Sequence, residues 1–332
     1  MSVAAQAPIL VTGIPRSGTS WVGKVVESSG EVVYINEPLN TNRPPRHRPG
    51  LLRAHVPYRF QYISAANEHE FLQAFRDMFA LRFHPLAELR ANHDAYGLLR
   101  LLKYWSDFEL GRLRRRRPLL DEPLAVFSLE WFRSRFGCPI VVLVRHPAAI
   151  VNSRKQLGHL ADFSQLLRQP LLMQDFLAPF ERELEEMQRR RDDVVGNGSL
   201  LWKVVYFAVG QLRERVPGVH VVRHEDLSRE PVTEFEQLHA HLAVPFADRT
   251  RRFVEQSTSA RADKPGATLE QRRRRAHSWS VSRRGISRTG FRPLDSKTYA
   301  VRWKRELSPE EIRRVRELTA EVADGFYDEE DW

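Results

Sequence analysis

The stretch richest in chemical possibility is Gly13-Ile14-Pro15-Arg16-Ser17-Gly18-Thr19-Ser20. It follows the apolar run Pro8-Ile9-Leu10-Val11 and opens a helical pattern over about 19–28. A glycine-containing turn from a buried strand into a helix points backbone N–H groups and the helix N-terminus at one place. The natural occupant of that place is an anion. The glycine spacing is that of a nucleotide-triphosphate phosphate loop, which carries lysine just after its second glycine to reach the β- and γ-phosphates. Here Thr19 stands there, and the only cation in the loop is Arg16. The residues therefore indicate anion binding without the lysine of triphosphate chemistry. An ordinary strand–helix turn is the plainer alternative.

Pro15-Arg16-Ser17-Gly18-Thr19-Ser20-Trp21 resembles the 5′-phosphosulfate loop of sulfotransferases that use 3′-phosphoadenosine-5′-phosphosulfate (PAPS). The resemblance implies that Arg16 neutralises the bridging oxygen as it leaves. It implies that Ser17, Gly18, Thr19 and Ser20 bind the 5′-phosphate, and that Trp21 either lies near the adenine or packs the helix. Members of the family hold the 3′-phosphate with an arginine at a strand end and a serine eight residues later. Arg145 follows the strand Ile140–Val144, and Ser153 stands at that spacing, within Val144-Arg145-His146-Pro147-Ala148-Ala149-Ile150-Val151-Asn152-Ser153-Arg154. An arginine fork with a serine hydroxyl suits a phosphate dianion. Two weaker segments are similar to family patterns. Arg223-His224-Glu225-Asp226-Leu227 resembles Arg-Tyr-Glu-Asp-Leu, with His224 at the adenine edge or the segment in a packing role. In Ser296–Lys304, Lys297 stands where the cytosolic branch places a lysine on the 3′-phosphate, although the glycine of that pattern is missing. The likeness is nearer to the carbohydrate-type and bacterial branch, and it covers about half the chain in separated blocks.

Sulfuryl transfer to a hydroxyl needs in-line positioning, charge stabilisation on the leaving phosphate and removal of the acceptor proton. Glu37 follows Val32–Ile35, within Asn-Glu-Pro-Leu, and so falls at the carboxyl edge of the sheet where ligands bind in open α/β folds. It is the favoured base, with a structural ion pair to arginine as the alternative. Glu122, in Leu119-Leu120-Asp121-Glu122-Pro123, ends another strand at that edge and is the rival. His47, His55 and His84 read as surface or packing histidines. No Cys/His cluster suggests a metal, and the resemblance implies none.

The elements that must position these groups follow from pattern. The continuous apolar run Ile140–Val144 suits the centre of a parallel sheet. Pro147 suits the first turn of the next helix. Short strands are expected at Val32–Ile35, Leu119–Leu120 and Val219–Val222. Helices are expected near 68–82, 94–113, 127–136, 160–192, 199–215 and 231–243. Ser308-Pro309-Glu310-Glu311 signals a capped final helix. Strands alternating with helices predict an α/β fold, three-layered and P-loop-like, with a central mainly parallel sheet flanked by helices. The reading is one domain over 1–332, with acceptor-side insertions at about 40–117 and 160–215.

The net charge of +10, carried mostly by arginine, fits an anionic ligand or a GC-rich genome equally. Hydrophobic content of 42% and charged content of 28% are those of a globular protein, and no apolar run approaches a bilayer span. Cys138 is the only cysteine, which excludes an internal disulfide. A cytoplasmic location, no signal peptide and no stable membrane insertion are expected. Runs at Arg112–Arg117 and Arg272–Arg275 read as solvated, or, for 272–288 with Arg283 and Arg284, as a segment closing over the ligand.

The function expected is transfer of the sulfuryl group of PAPS to a hydroxyl acceptor (a carbohydrate, lipid or secondary metabolite), releasing 3′-phosphoadenosine-5′-phosphate (PAP). A P-loop small-molecule kinase would want the missing lysine and a magnesium carboxylate. A basic nucleic-acid-binding protein would want a reader motif, and none is visible. The acceptor is open: an arginine-rich pocket would suit an acidic or sulfated sugar, and Tyr58, Phe60, Tyr62, Tyr104 and Trp105 a lipid or secondary metabolite. The oligomeric state is open too.

Overall fold

The computed structural model describes residues 6–40, 48–92, 95–190, 192–258 and 295–332. Five parallel strands form one sheet: β1 (Ile9–Gly13), β2 (Val32–Asn36), β3 (Arg117–Asp121), β4 (Ile140–Val144) and β5 (Val219–Arg223), in the order β2-β3-β1-β4-β5. Every residue of β1 and β4 is buried. Alternate side chains feed two apolar layers. Leu10, Ile140, Val142 and Val144 face one cluster, while Ile9, Val11, Val141 and Leu143 face the other. Both faces are covered, which is why these strands read as unbroken apolar runs rather than alternating ones. The expected three-layer α/β architecture is the one observed.

The helices near the site are α1 (Thr19–Ser28), α2 (Leu72–Phe79), α3 (Pro85–Ala91), α4 (Ala95–Leu113), α5 (Leu129–Phe136) and α6 (Pro147–Leu157). Between β2 and β3 the chain makes α2 to α4, held by the buried pair Arg100–Glu88 at 3.1 Å, with Glu88 also accepting the Gly50 N–H at 3.0 Å. The larger apolar cluster runs from Leu10 through Phe75 and Phe163 to Tyr327, so residues of 40–117 and 160–215 share a core with the sheet.

Two expected helices differ. The pattern over 160–192 is cut into Ser164–Leu167, Pro170–Leu172, a wide π turn at Met173–Leu177, Ala178–Phe180 and Glu181–Arg189. Pro170 and Pro179 enforce the cuts, because proline has no N–H for a helix interior. The helix expected from 199 starts at Val194 instead, where Asp193 accepts the Gly196 N–H at 2.8 Å. Glycine at 196 and 198 hid that first turn. At Gly198 an added Cβ would lie 3.1 Å from Val151 Cγ2 of α6, a tight contact. The capping box is present as expected: Ser308 Oγ accepts the Glu311 N–H and Glu311 accepts the Ser308 N–H. Among the described residues no helix is long and apolar enough to cross a membrane.

Candidate functional site

From β1 the chain passes through α1 to one side of the sheet, and β4 lies on the other side. The carboxyl ends of β1 and β4 therefore flank the point where strand order reverses, the usual ligand crevice of an open α/β sheet. A cavity of about 800 Å³ opens there. Its wall includes Pro15, Arg16, Gly18, Thr19, Ser20 and Trp21.

The loop is built to stand close to a ligand. Gly18 caps α1 at φ 111°, and a Cβ there would sit 2.8 Å from the His224 ring. Gly13 has φ 151°, with Leu143 O 2.5 Å from where its Cβ would be. Arg16 itself takes the left-handed conformation, φ 85°, which costs a non-glycine residue roughly 1–2 kcal/mol. Ser17 is fully buried beneath the loop.

The predicted second site meets the loop directly. Arg145 donates from Nη1 to the Arg16 carbonyl at 3.0 Å, and Arg16 Nε donates to Ser153 Oγ at 3.1 Å. Arg145 Nε is a buried donor with no hydrogen-bond partner among the described residues. What fixes Arg145 was not visible in the sequence. Trp202 Nε1 donates to the Arg145 carbonyl at 2.8 Å, and the Tyr206 hydroxyl donates to Leu143 O at 2.7 Å. Both come from the Val194–Arg215 helix and pin the end of β4. Glu225 adds a clamp, accepting the His146 N–H at 3.1 Å and the Tyr327 hydroxyl at 3.0 Å.

Trp21 lies at the cavity edge. Its ring meets His224 at 5.7 Å and Phe235 at 5.0 Å, and its Nε1 donates to Ser257 Oγ at 3.2 Å. It thus packs the helix and lines the cavity at once. His224 is held neutral: burial, and then the charge of Arg145, push its imidazole well below the usual range.

Lys297 is not brought to this cavity. It is exposed and lines a smaller cavity of about 250 Å³ beside His146 and Asp331. On the short helix Ser296–Ala300 successive side chains diverge by about 100°, so Ser296 and Tyr299 face the main cavity instead. Tyr299 places its ring 5.1 Å from the Arg145 guanidinium.

The two carboxylates separate. Glu37 lines the cavity, next to Asn40, whose Nδ2 donates to Glu37 Oε2 at 2.5 Å. Its backbone is left-handed, φ 47°, and its N–H donates to Asp121 O at 2.8 Å. Glu122 has no exposed surface and turns inward, accepting the Leu39 N–H at 2.6 Å and the Leu124 N–H at 3.1 Å. Burial, and then the charge of Glu37, raise the Glu122 carboxyl to about 8, against the pull of those two N–H groups. The same two causes raise Asp121 to about 6. Glu122 thus sits beneath the cavity floor as a brace of the Glu37–Leu39 turn. The sequence reading also missed Arg154 and Arg59 in the cavity wall. Their only signal was an arginine directly after Ser153 and another in a segment matching no pattern. Arg272–Arg275, Arg283, Arg284 and His47 lie outside the described residues.

Similar solved structures include a sulfotransferase domain of the Synechococcus PCC 7002 olefin synthase, 13% identical, TM-score 0.43, over 99% of this chain and 98% of that one. The mouse sulfotransferase SULT7A1, complexed with PAP, is 14% identical, TM-score 0.39, over 96% and 84%. The sulfotransferase STF9 of Mycobacterium avium is 12% identical, TM-score 0.40, over 99% and 79%. No curated protein sequence matches. Residues 8–248, which contain the loop, both carboxylates and the Arg145/Ser153 pair, match the sulfotransferase family, and the chain belongs to that family.

Proposed function

We propose that this sulfotransferase takes the sulfuryl group of PAPS and places it on a hydroxyl of a small-molecule or glycan acceptor, releasing PAP. The observation that carries this reading is the meeting, beside one cavity, of two sets of residues suited to anions. The phosphate loop supplies one. Arg145 and Ser153 supply the other, joined to the loop through Arg16. The residues fit the nucleotide: Arg145 has a buried donor left over, and Gly18 leaves no room for a side chain between loop and His224.

PAPS supplies an activated sulfuryl group. The chain does the rest. Loop N–H groups and the hydroxyls of Thr19 and Ser20 hold the 5′-phosphate. Arg145 and Ser153 hold the 3′-phosphate. Arg16 stabilises the oxygen that departs when the sulfur–oxygen bond breaks, and Glu37 takes the proton from the acceptor oxygen as it bonds to sulfur.

PAP should therefore raise the melting temperature far more than ATP. Arg145→Ala should weaken PAP about 10- to 100-fold more than adenosine 5′-phosphosulfate, which lacks the 3′-phosphate, as one charge-assisted contact is worth roughly 1.5–3 kcal/mol. Equal stabilisation by ATP, or equal losses for the two ligands, would contradict the reading.

A further inference from the structure

Arg154 follows Ser153 on α6 and is only 5% exposed, yet it lines the cavity. Among the described residues no carboxylate or carbonyl engages its guanidinium, and its Nε is a buried donor without a partner. Arg59 reaches the same wall from the segment after α1 and β2, with its N–H donating to Gln165 Oε1 at 3.4 Å. Burial, and then the charge of Arg59, bring Arg154 down to about 10. Asp162, an acid in this wall, is engaged elsewhere: it accepts from Ser164 N at 3.2 Å, Ser164 Oγ at 2.7 Å and Gln188 Nε2 at 2.9 Å.

A buried guanidinium such as that of Arg154, with a donor unmatched among the described residues, is costly. The cost is offset when an anion seats against it, because the fork of N–H donors matches phosphate, sulfate or carboxylate oxygens. The nucleotide's phosphates already have the loop and the Arg145/Ser153 pair. We propose that Arg154, with Arg59, seats an anionic group carried by the sulfuryl acceptor, so that the acceptor is an acidic or phosphorylated hydroxyl compound. This rests on the PAPS reading above.

The test uses the full chain saturated with PAP and titrates inorganic phosphate, glucose 6-phosphate, glucuronate and glucose by calorimetry at low ionic strength. At least one of the three anions should bind ten times or more as tightly as glucose, roughly the discrimination one charge-assisted contact gives. Arg154→Gln should erase that preference while leaving PAP affinity within about twofold. Which anion wins separates phosphate from carboxylate acceptors. If Arg154→Gln fails to fold, Arg59→Gln, at a half-buried position, should erase the preference in its place. The proposal falls if the wild-type protein shows no preference for anions, or if the variants keep it. It also falls if Arg154→Gln loses PAP affinity in step, which would assign Arg154 to the nucleotide. Failure of PAP to bind the wild-type chain at all would remove the nucleotide reading and this inference together.

Discussion

Glu37 and Glu122 each end a strand at the same sheet edge, and the backbone treats them oppositely. Glu37 faces the cavity, whereas Glu122 turns both oxygens onto the N–H groups of Leu39 and Leu124. Sequence could place both at the edge, because each follows an apolar strand and precedes proline. It could not choose between them, because the choice depends on N–H groups freed by turns with no sequence signature. Glu37→Gln should keep PAP affinity and lose roughly 10²–10⁴ in turnover, the usual worth of a general base. Glu122→Gln should behave as a stability variant: an amide N–H now meets a backbone N–H, costing about 1 kcal/mol or more while the folded fraction turns over near normally. Melting curves and steady-state rates on the two variants distinguish these outcomes. A Glu37→Gln enzyme of normal rate would return the search for the base to the histidines.

At the level of elements, the strand–loop–helix unit was readable because burial on both faces makes β1 and β4 continuous apolar runs. The supports behind it were not. Trp202 and Tyr206 reach Arg145 and Leu143 across about sixty residues, and periodicity marks them only as helix core. The broken segment 160–192 shows the converse: its helical pattern was real, and two prolines overrode it. The loop carries its own test. Gly18→Ala meets the His224 ring at 2.8 Å and also forces alanine to φ 111°. It should lower both PAP affinity and melting temperature. Adding His224→Ala should relieve the steric part and leave the backbone part, roughly 1–2 kcal/mol. Full recovery in the double variant would mean that the glycine is needed only for space.

For the whole molecule, the arginine excess divides by place. Arg112, Arg114 and Arg115 are exposed, as a solvated run should be, while Arg117 turns inward to donate to Leu242 O at 2.5 Å. Arg16, Arg145 and Arg154 gather at one cavity, which composition could suggest but not locate. The carboxyl cluster beneath that cavity sets a pH dependence. Glu122 is raised from an ordinary 4.5 to about 8 and Asp121 from 3.8 to about 6. The native state therefore holds protons that the unfolded chain releases, so stability is greatest below about pH 3.8 for this cluster and declines as pH rises towards 8. Glu37→Gln removes a charge that raises both groups, and should flatten the decline in melting temperature between pH 5 and 8. An unchanged slope would show that Glu37 does not act on them.

The strand order has a consequence in time. Ile9 of β1 pairs with Leu119, and Leu10 with Ile140. The central strand of the sheet is thus made more than a hundred residues before both its neighbours. At about 5–20 residues per second, that is a wait of roughly 5–25 s. Throughout it, a strand that ends fully buried has two bare edges and no sheet to join. Yield from translation then depends on whatever shelters that strand, such as a holding chaperone or a slow, cool synthesis, as much as on the stability of the finished fold.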